Sequence, residues 1–158
     1  MRIGIFGGTF DPPHVGHLIL AAEARDQLDL DCVLWVVTPD PPHKTTRALT
    51  PLETRLVMVH AAIDGDERFQ ISRIEIDRPG PHYSADTVRI LAEEYPGSQL
   101  YYLMGGDSLR DLEAAAAAGA KPCLVLTGKG KKTREAGGLP PGTRVFADLA
   151  AFAAQLAP

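Results

Sequence analysis

Two rhythms of apolar and polar residues take turns along this chain. Short β-rich apolar runs occupy residues 2–6, 32–37, 69–76, 100–104, 122–126 and 144–146. Between them, apolar residues recur at helical spacing, as Leu52, Leu56, Val59 and Ile63 do. The intervening stretches predict helices over 15–28, 51–63, 84–95, 108–118 and 148–156, with 38–50 left irregular by its prolines. Strands that alternate with helices predict a single-domain α/β fold around a parallel sheet.

Punctuation residues sharpen several boundaries. Gly7-Gly8 breaks the first strand, Thr50 is placed to cap the second helix with Pro51 in its first turn, and Arg78-Pro79-Gly80-Pro81 stops the third strand. Gly119 follows the fourth helix as a left-handed cap, and Asp148 caps the terminal helix.

The first strand leads through Gly7, Gly8, Thr9, Phe10, Asp11, Pro12 and Pro13 into His14-Val15-Gly16-His17 at the head of a helix. A strand that turns through glycines onto a helix N-terminus gathers free N–H groups and the positive end of the helix dipole at one spot. His14 and His17, three apart, share one face of the first turn, so both imidazoles can reach the same phosphate. Gly16 removes a side chain where a bulky ligand must approach. Taken alone, His-x-Gly-His is an ordinary capped N-terminus; behind a strand and a Gly-Gly turn it is a phosphate site. In open parallel sheets ligands sit beyond the carboxyl ends of the strands, and each chemistry-bearing segment here directly follows a predicted strand.

Composition narrows the function classes. The chain has 158 residues with net charge −4, 45% hydrophobic and 23% charged. That is an ordinary globular mix without the basic excess that a nucleic-acid binder needs. No apolar run approaches a membrane span, and the expected compartment is the cytoplasm. Cys32 and Cys123 fall on strands that should not be neighbours, which predicts two reduced packing residues.

Residues 7–17 resemble the signature of the nucleotidylyltransferase superfamily, specifically the bacterial nicotinate mononucleotide adenylyltransferases. The resemblance implies a Rossmann-like sheet of order about 3-2-1-4-5 with helices on both faces, and transfer of AMP from ATP to nicotinate mononucleotide with release of pyrophosphate. It implies that His14, His17 and Lys44 are catalytic and that Gly7, Gly8, Thr9, Phe10, Gly16, Gly105 and Asp107 hold the nucleotide. Lys44 belongs to Pro41-Pro42-His43-Lys44, a solvated loop by itself and a phosphate-holding loop by the resemblance. Asp107 is either a helix cap or a ligand residue. Tyr83, Ser84, Asp86 and Thr87 fall where the family contacts the mononucleotide, although His82-Tyr83-Ser84 stands in place of its usual Ser-Tyr-Thr. The partners implied are small nucleotides, and the cofactor is Mg²⁺ arriving with ATP.

Beyond Gly106 the likeness changes. The family's later tryptophan and its Ser-Ser/Thr-x-Ile-Arg phosphate clamp do not occur; the only tryptophan is Trp35. Residues 106–115, 123–130 and 149–150 instead resemble the C-terminal end of haloacid-dehalogenase-type phosphatases, the heptose bisphosphate phosphatase in particular. There an acidic pair, Asp107 and Asp111 in this chain, helps to hold Mg²⁺. The nucleophilic aspartate of that chemistry is missing, because the first strand runs into Gly7-Gly8-Thr9-Phe10. The expectation is one domain over 1–158, adenylyltransferase-like over 1–107 and phosphatase-like over 108–158, natural or engineered in origin. Weak or absent turnover follows from the missing clamp, with an inactive scaffold as the competing expectation. Lys129, Lys131 and Lys132 read as a solvated loop.

Overall fold

The computed structural model describes residues 1–40, 48–104, 109–125 and 130–146. Strands β1 (Arg2–Gly8), β2 (Cys32–Val37), β3 (Phe69–Ser72), β4 (Gln99–Met104), β5 (Lys121–Val125) and β6 (Arg144–Phe146) form one sheet. Helices α1 (Val15–Gln27), α2 (Leu52–Ile63), α3 (Ser84–Glu94), α4 (Leu109–Ala117) and α5 (Gly130–Glu135) connect them. All pairings are parallel and the strand order is β3-β2-β1-β4-β5-β6, so the expected order holds and β6 extends it at one edge. The chain builds outward from β1 to β3, then returns across β1 to start β4. That reversal opens a crevice at the carboxyl ends of β1 and β4.

The pleat sends alternate side chains to opposite faces. Phe6, Val33, Trp35, Val37 and Leu103 pack on one face with Leu20, Ala24, Val59 and Ile63 of α1 and α2. Ile3, Ile5, Leu34, Val36 and Tyr102 pack on the other with Val88, Leu91 and Leu112 of α3 and α4. With a layer on each side, all six residues of β2 are buried, which explains why Cys-Val-Leu-Trp-Val-Val is continuously apolar rather than alternating. Cys32 and Cys123 are buried and free, and two strands separate theirs. Three strand spacings put them roughly 14 Å apart, beyond disulfide reach. Burial pushes both thiols up, Cys123 to about 11.

Several boundaries differ from expectation. Gly7-Gly8 does not break β1, which continues paired through Gly7–Val36 and Gly8–Val37. The expected strand over 69–76 stops at Ser72, because Ile76 and Asp77 N–H groups both donate to the Arg73 carbonyl and an Arg73–Asp77 ion pair at 2.8 Å closes that turn. Thr50 is not the cap of α2; extended Pro51 is, and its carbonyl accepts the first helical bond from Arg55 N–H. Lys131 and Lys132 lie exposed on the short helix α5 rather than in a loop, in a segment of helix-favouring residues. Gly119 caps α4 as expected: at φ +95° it donates to the Ala116 carbonyl while Ala120 N–H reaches back to Ala115, a Schellman closure. The helix expected over 148–156 lies outside the described residues.

Gly4 marks the tightest packing beneath β1, where a Cβ would stand 2.8 Å from Leu30 Cδ1 and 3.1 Å from Leu103 Cδ1. Gly4→Val should therefore cost about 1–3 kcal/mol by overpacking. Urea unfolding of the two proteins checks this, and equal midpoints would contradict the packing described.

Candidate functional site

The chain leaves β1 through Thr9 and Phe10. Phe10 is buried with φ +48°, in the left-handed region that side chains rarely adopt. Its ring folds back under Gly8, where a Cβ would lie 3.0–3.2 Å from the ring carbons, so a side chain there would press on the ring and force it to shift by a few tenths of an ångström. The ring meets Phe6 at 5.4 Å, Trp35 at 5.0 Å and His17 at 5.1 Å between centroids. The Phe10 side chain is thus core; what it can offer a nucleotide is its backbone.

His14 is the N-cap of α1 and His17 stands three residues on. The two rings stack with centroids 3.7 Å apart and planes at 24°, so the sequence expectation that they share one face holds. His14 N–H donates to His17 Nδ1 at 3.1 Å, and His17 N–H donates to the His14 carbonyl at 2.9 Å. An Nδ1 that accepts leaves the ring proton on Nε2, so neutral His17 presents an N–H donor at its outer edge. Burial, and then the charge of His14, lower its pKa to about 4. Gly16 keeps clear the space beside this pair; a Cβ there would sit 3.1 Å from His14 Nδ1.

One residue beneath the turn was not singled out by its sequence. Arg55 of α2 is 2% exposed, and its guanidinium donates to the carbonyls of Thr9 at 2.8 Å, Thr38 at 2.9 Å, Pro39 at 2.8 Å and Thr50 at 2.9 Å. It ties together the loops that leave β1 and β2 and the entry to α2. Burial lowers its pKa, opposed by the charges of Asp11 and Asp40. Asp11 in turn accepts from Thr50 N–H at 3.1 Å. A signal existed: Arg55 lies three residues after Leu52 and four before Val59, on the inward stripe of its helix.

Across the crevice α3 begins after Tyr83, which is its N-cap and is half-exposed. Ser84 is buried and its hydroxyl accepts from the Tyr102 phenol at 3.2 Å. Thr87 donates to Glu75 at 2.6 Å within a buried network that includes Arg78 at 3.2 Å. Asp86 pairs with Arg89 at 3.0 Å. The two hydroxyls are therefore engaged inside the fold, and what α3 offers a ligand is Tyr83 and the N–H groups of its first turn. Glu75 and Arg78 were also missed, because their spacing carries no pattern. The Tyr102 phenol reaches from Ser84 to Gly7, where a Cβ would lie 3.1 Å from its oxygen. One ring thus bridges the start of α3 and the end of β1.

Lys44, Gly105, Asp107 and Lys129 lie outside the described residues, and Asp111 is on α4 with its side chain undescribed. Among the described residues no group of three or more His, Cys, Asp or Glu could hold a metal ion. No helix among them is long and apolar enough to cross a membrane.

The cytidylyltransferase-like family model matches residues 5–130. A probable nicotinate-nucleotide adenylyltransferase of a Synechococcus species is 52% identical over 111 residues, which are 70% of this chain and 54% of that protein. One from Thermus thermophilus is 48% identical over 112 residues, 71% of this chain and 59% of that protein. The chain thus spans about half the length of the relatives it matches. Among solved structures, a D,D-heptose 1,7-bisphosphate phosphatase from B. bronchiseptica, complexed with magnesium and phosphate, is 28% identical. It covers 99% of this chain and 98% of its own, with a TM-score of 0.66. The Plasmodium falciparum nicotinic acid mononucleotide adenylyltransferase complexed with NaAD shares the fold at a TM-score of 0.68 and 15% identity, covering 92% of this chain and 74% of its own.

The lowered pKa of His17 has a consequence for stability. Unfolded, the ring titrates near its ordinary 6.5; folded, it titrates at about 4. Between those values the unfolded chain binds a proton that the folded chain refuses. His17 thus costs nothing above pH 6.5 and destabilises progressively as pH falls toward 4. Imidazole NMR should place the His17 titration near 4 and shift it upward in His14→Ala. An ordinary titration in the parent protein would contradict the geometry.

Proposed function

The chain belongs to the cytidylyltransferase-like family, and we propose that its site transfers an adenylyl group from ATP to nicotinate mononucleotide. The observation that carries this reading is the stacked His14–His17 pair at the end of β1, beside the reversal of strand order. The names of the sequence relatives support the choice of substrates. In the proposed step a phosphate oxygen of the mononucleotide attacks the α-phosphorus of ATP in line. The new P–O bond forms as the α–β bridging bond breaks, giving nicotinate adenine dinucleotide and pyrophosphate. No covalent enzyme intermediate is needed, so the protein supplies position and charge stabilisation.

Each side chain then has a task. Neutral His17 donates from Nε2 to the α-phosphate oxygens as negative charge gathers on them, and His14 lies over the same group. Backbone N–H groups of Gly8, Thr9 and Phe10 line the nucleotide, with Gly7 making room for the Tyr102 phenol and Gly16 for the ligand. Lys44, Gly105 and Asp107, which lie outside the described residues, are assigned to the phosphates and the nucleotide by the sequence resemblance alone. Tyr83 and the open N–H groups at the start of α3 frame the mononucleotide, while Ser84, Asp86 and Thr87 hold that turn through their own partners. Mg²⁺ enters as part of the ATP complex, in keeping with its preference for phosphate and water oxygens over an all-protein cage.

A second reading, a chimeric α/β scaffold that lacks turnover, is favoured by the near full-length likeness to the heptose bisphosphate phosphatase beside adenylyltransferase matches of 111–112 residues. On this reading the segment from about Gly106 completes the sheet with phosphatase-like sequence. On the adenylyltransferase reading, turnover is slow because the serine–arginine clamp does not occur in this sequence. Phosphatase chemistry itself lacks its nucleophile, as β1 ends in Gly7-Gly8.

Pyrophosphate release from ATP, Mg²⁺ and nicotinate mononucleotide separates these readings. The adenylyltransferase reading expects slow release that falls about 10²–10³-fold in His17→Ala. No release at high protein concentration, with the fold intact by circular dichroism, would leave the scaffold. Phosphate release from a heptose bisphosphate is expected in neither case.

A further inference from the structure

We propose that Arg55 is a positioning residue: its buried guanidinium orients the peptide planes at the ends of β1 and β2 so that their N–H groups face the nucleotide phosphates. The inference uses the adenylyl-transfer reading only for the identity of the ligand.

The argument begins with peptide geometry. In a trans peptide, the carbonyl of one residue and the N–H of the next point in opposite directions. The cis bonds among the described residues are Asp11–Pro12 and Gly80–Pro81, so Thr9–Phe10 and Pro39–Asp40 are trans. Arg55 draws in the carbonyls of Thr9 at 2.8 Å and Pro39 at 2.8 Å. The N–H groups of Phe10 and Asp40 are thereby turned away from the interior cation. The bonds to Thr38 and Thr50 precede prolines, Pro39 and Pro51, and free no N–H; they fix where the guanidinium sits.

Position and charge act together. The guanidinium is planar and delocalised, with donors in a fixed fork, so it can serve carbonyls from three chain segments at once. Its hydrogen bonds go to neutral carbonyls, and the charges nearest to it come from Asp11 and Asp40, which act at longer range. A cation held in this way sits against the Thr9 carbonyl, five residues ahead of His14, and its field favours an anion at the end of β1. Lysine would keep the charge but could not span these carbonyls.

The link to the histidines runs through Phe10. Arg55 holds the Thr9 carbonyl, the Thr9–Phe10 plane sets the left-handed Phe10, and the Phe10 ring packs on His17 at 5.1 Å. Loosening Arg55 should therefore admit water to His17 with no ligand present. That supplies a readout that a merely structural arginine would not move.

The test compares the parent protein with Arg55→Lys and Arg55→Gln, each checked for folding by circular dichroism at about 5 °C and about 25 °C, on either side of the usual stability maximum. Imidazole NMR without ligand should show the His17 titration moving up from about 4 toward its ordinary value in both variants. Calorimetry with MgATP should show affinity falling by about tenfold or more, the scale expected for a misplaced binding group. A folded variant with the parental His17 titration and parental MgATP affinity would overturn the assignment. So would failure of both variants to fold at either temperature, since Arg55 would then hold the fold rather than aim the loops. If the parent binds no MgATP, the adenylyl-transfer reading falls, and the ligand-free His17 titration still decides the role of Arg55.

Discussion

Phe10 turns the chain at the end of β1 with φ +48°, and the site exists because that turn is held. A non-glycine residue in a strained backbone region costs about 1–3 kcal/mol. Full burial of a phenylalanine ring is worth about 1.5–3 kcal/mol, and well-placed aromatic pairs add about 0.5–1.5 kcal/mol each. With Phe6, Trp35 and His17 around the ring, burial outweighs the strain. The bare Gly8 above it is the other half of the arrangement, since a side chain there would crowd the ring. Aromatic packing below thus places polar chemistry above.

The site is layered by charge. At the bottom is a permanent cation, Arg55, satisfied by carbonyl oxygens; at the top are two imidazoles in contact, one of them kept neutral by its surroundings. Stacked rings 3.7 Å apart resist double protonation, because like charges at that separation repel strongly in a partly desolvated place. A phosphate-binding surface built this way offers directed donors rather than a dense positive patch, which fits a chain whose net charge is −4.

Much of the fold was legible because burial leaves a periodic trace. The all-apolar run of β2, the helical spacing of α2 and the glycine after α4 each stated their place in the architecture. The histidine pair was legible for a related reason: helix geometry converts a spacing of three into a shared face. What stayed hidden was partnership. Residues 73–76 alternate like a strand, and the backbone bonds to the Arg73 carbonyl and the Arg73–Asp77 pair reveal a turn. Ser84 and Thr87 read as mononucleotide contacts, yet Tyr102 and Glu75 engage their hydroxyls. Phe10 read as a nucleotide contact, yet its ring is core. Arg55 looked like one more helix charge, since nothing in a linear pattern announces that carbonyls from three distant segments converge on one side chain.

The two buried thiols have a practical consequence. Cys32 and Cys123 sit on strands to either side of the β1–β4 centre, and both are held as unreactive protonated thiols. The thiolate is the form that attacks an alkylating reagent, so labelling must wait until the sheet separates. The molecule therefore carries its own stopwatch for opening, with one hand on each wing, and the order in which the two sulfurs become modified records which wing lets go first.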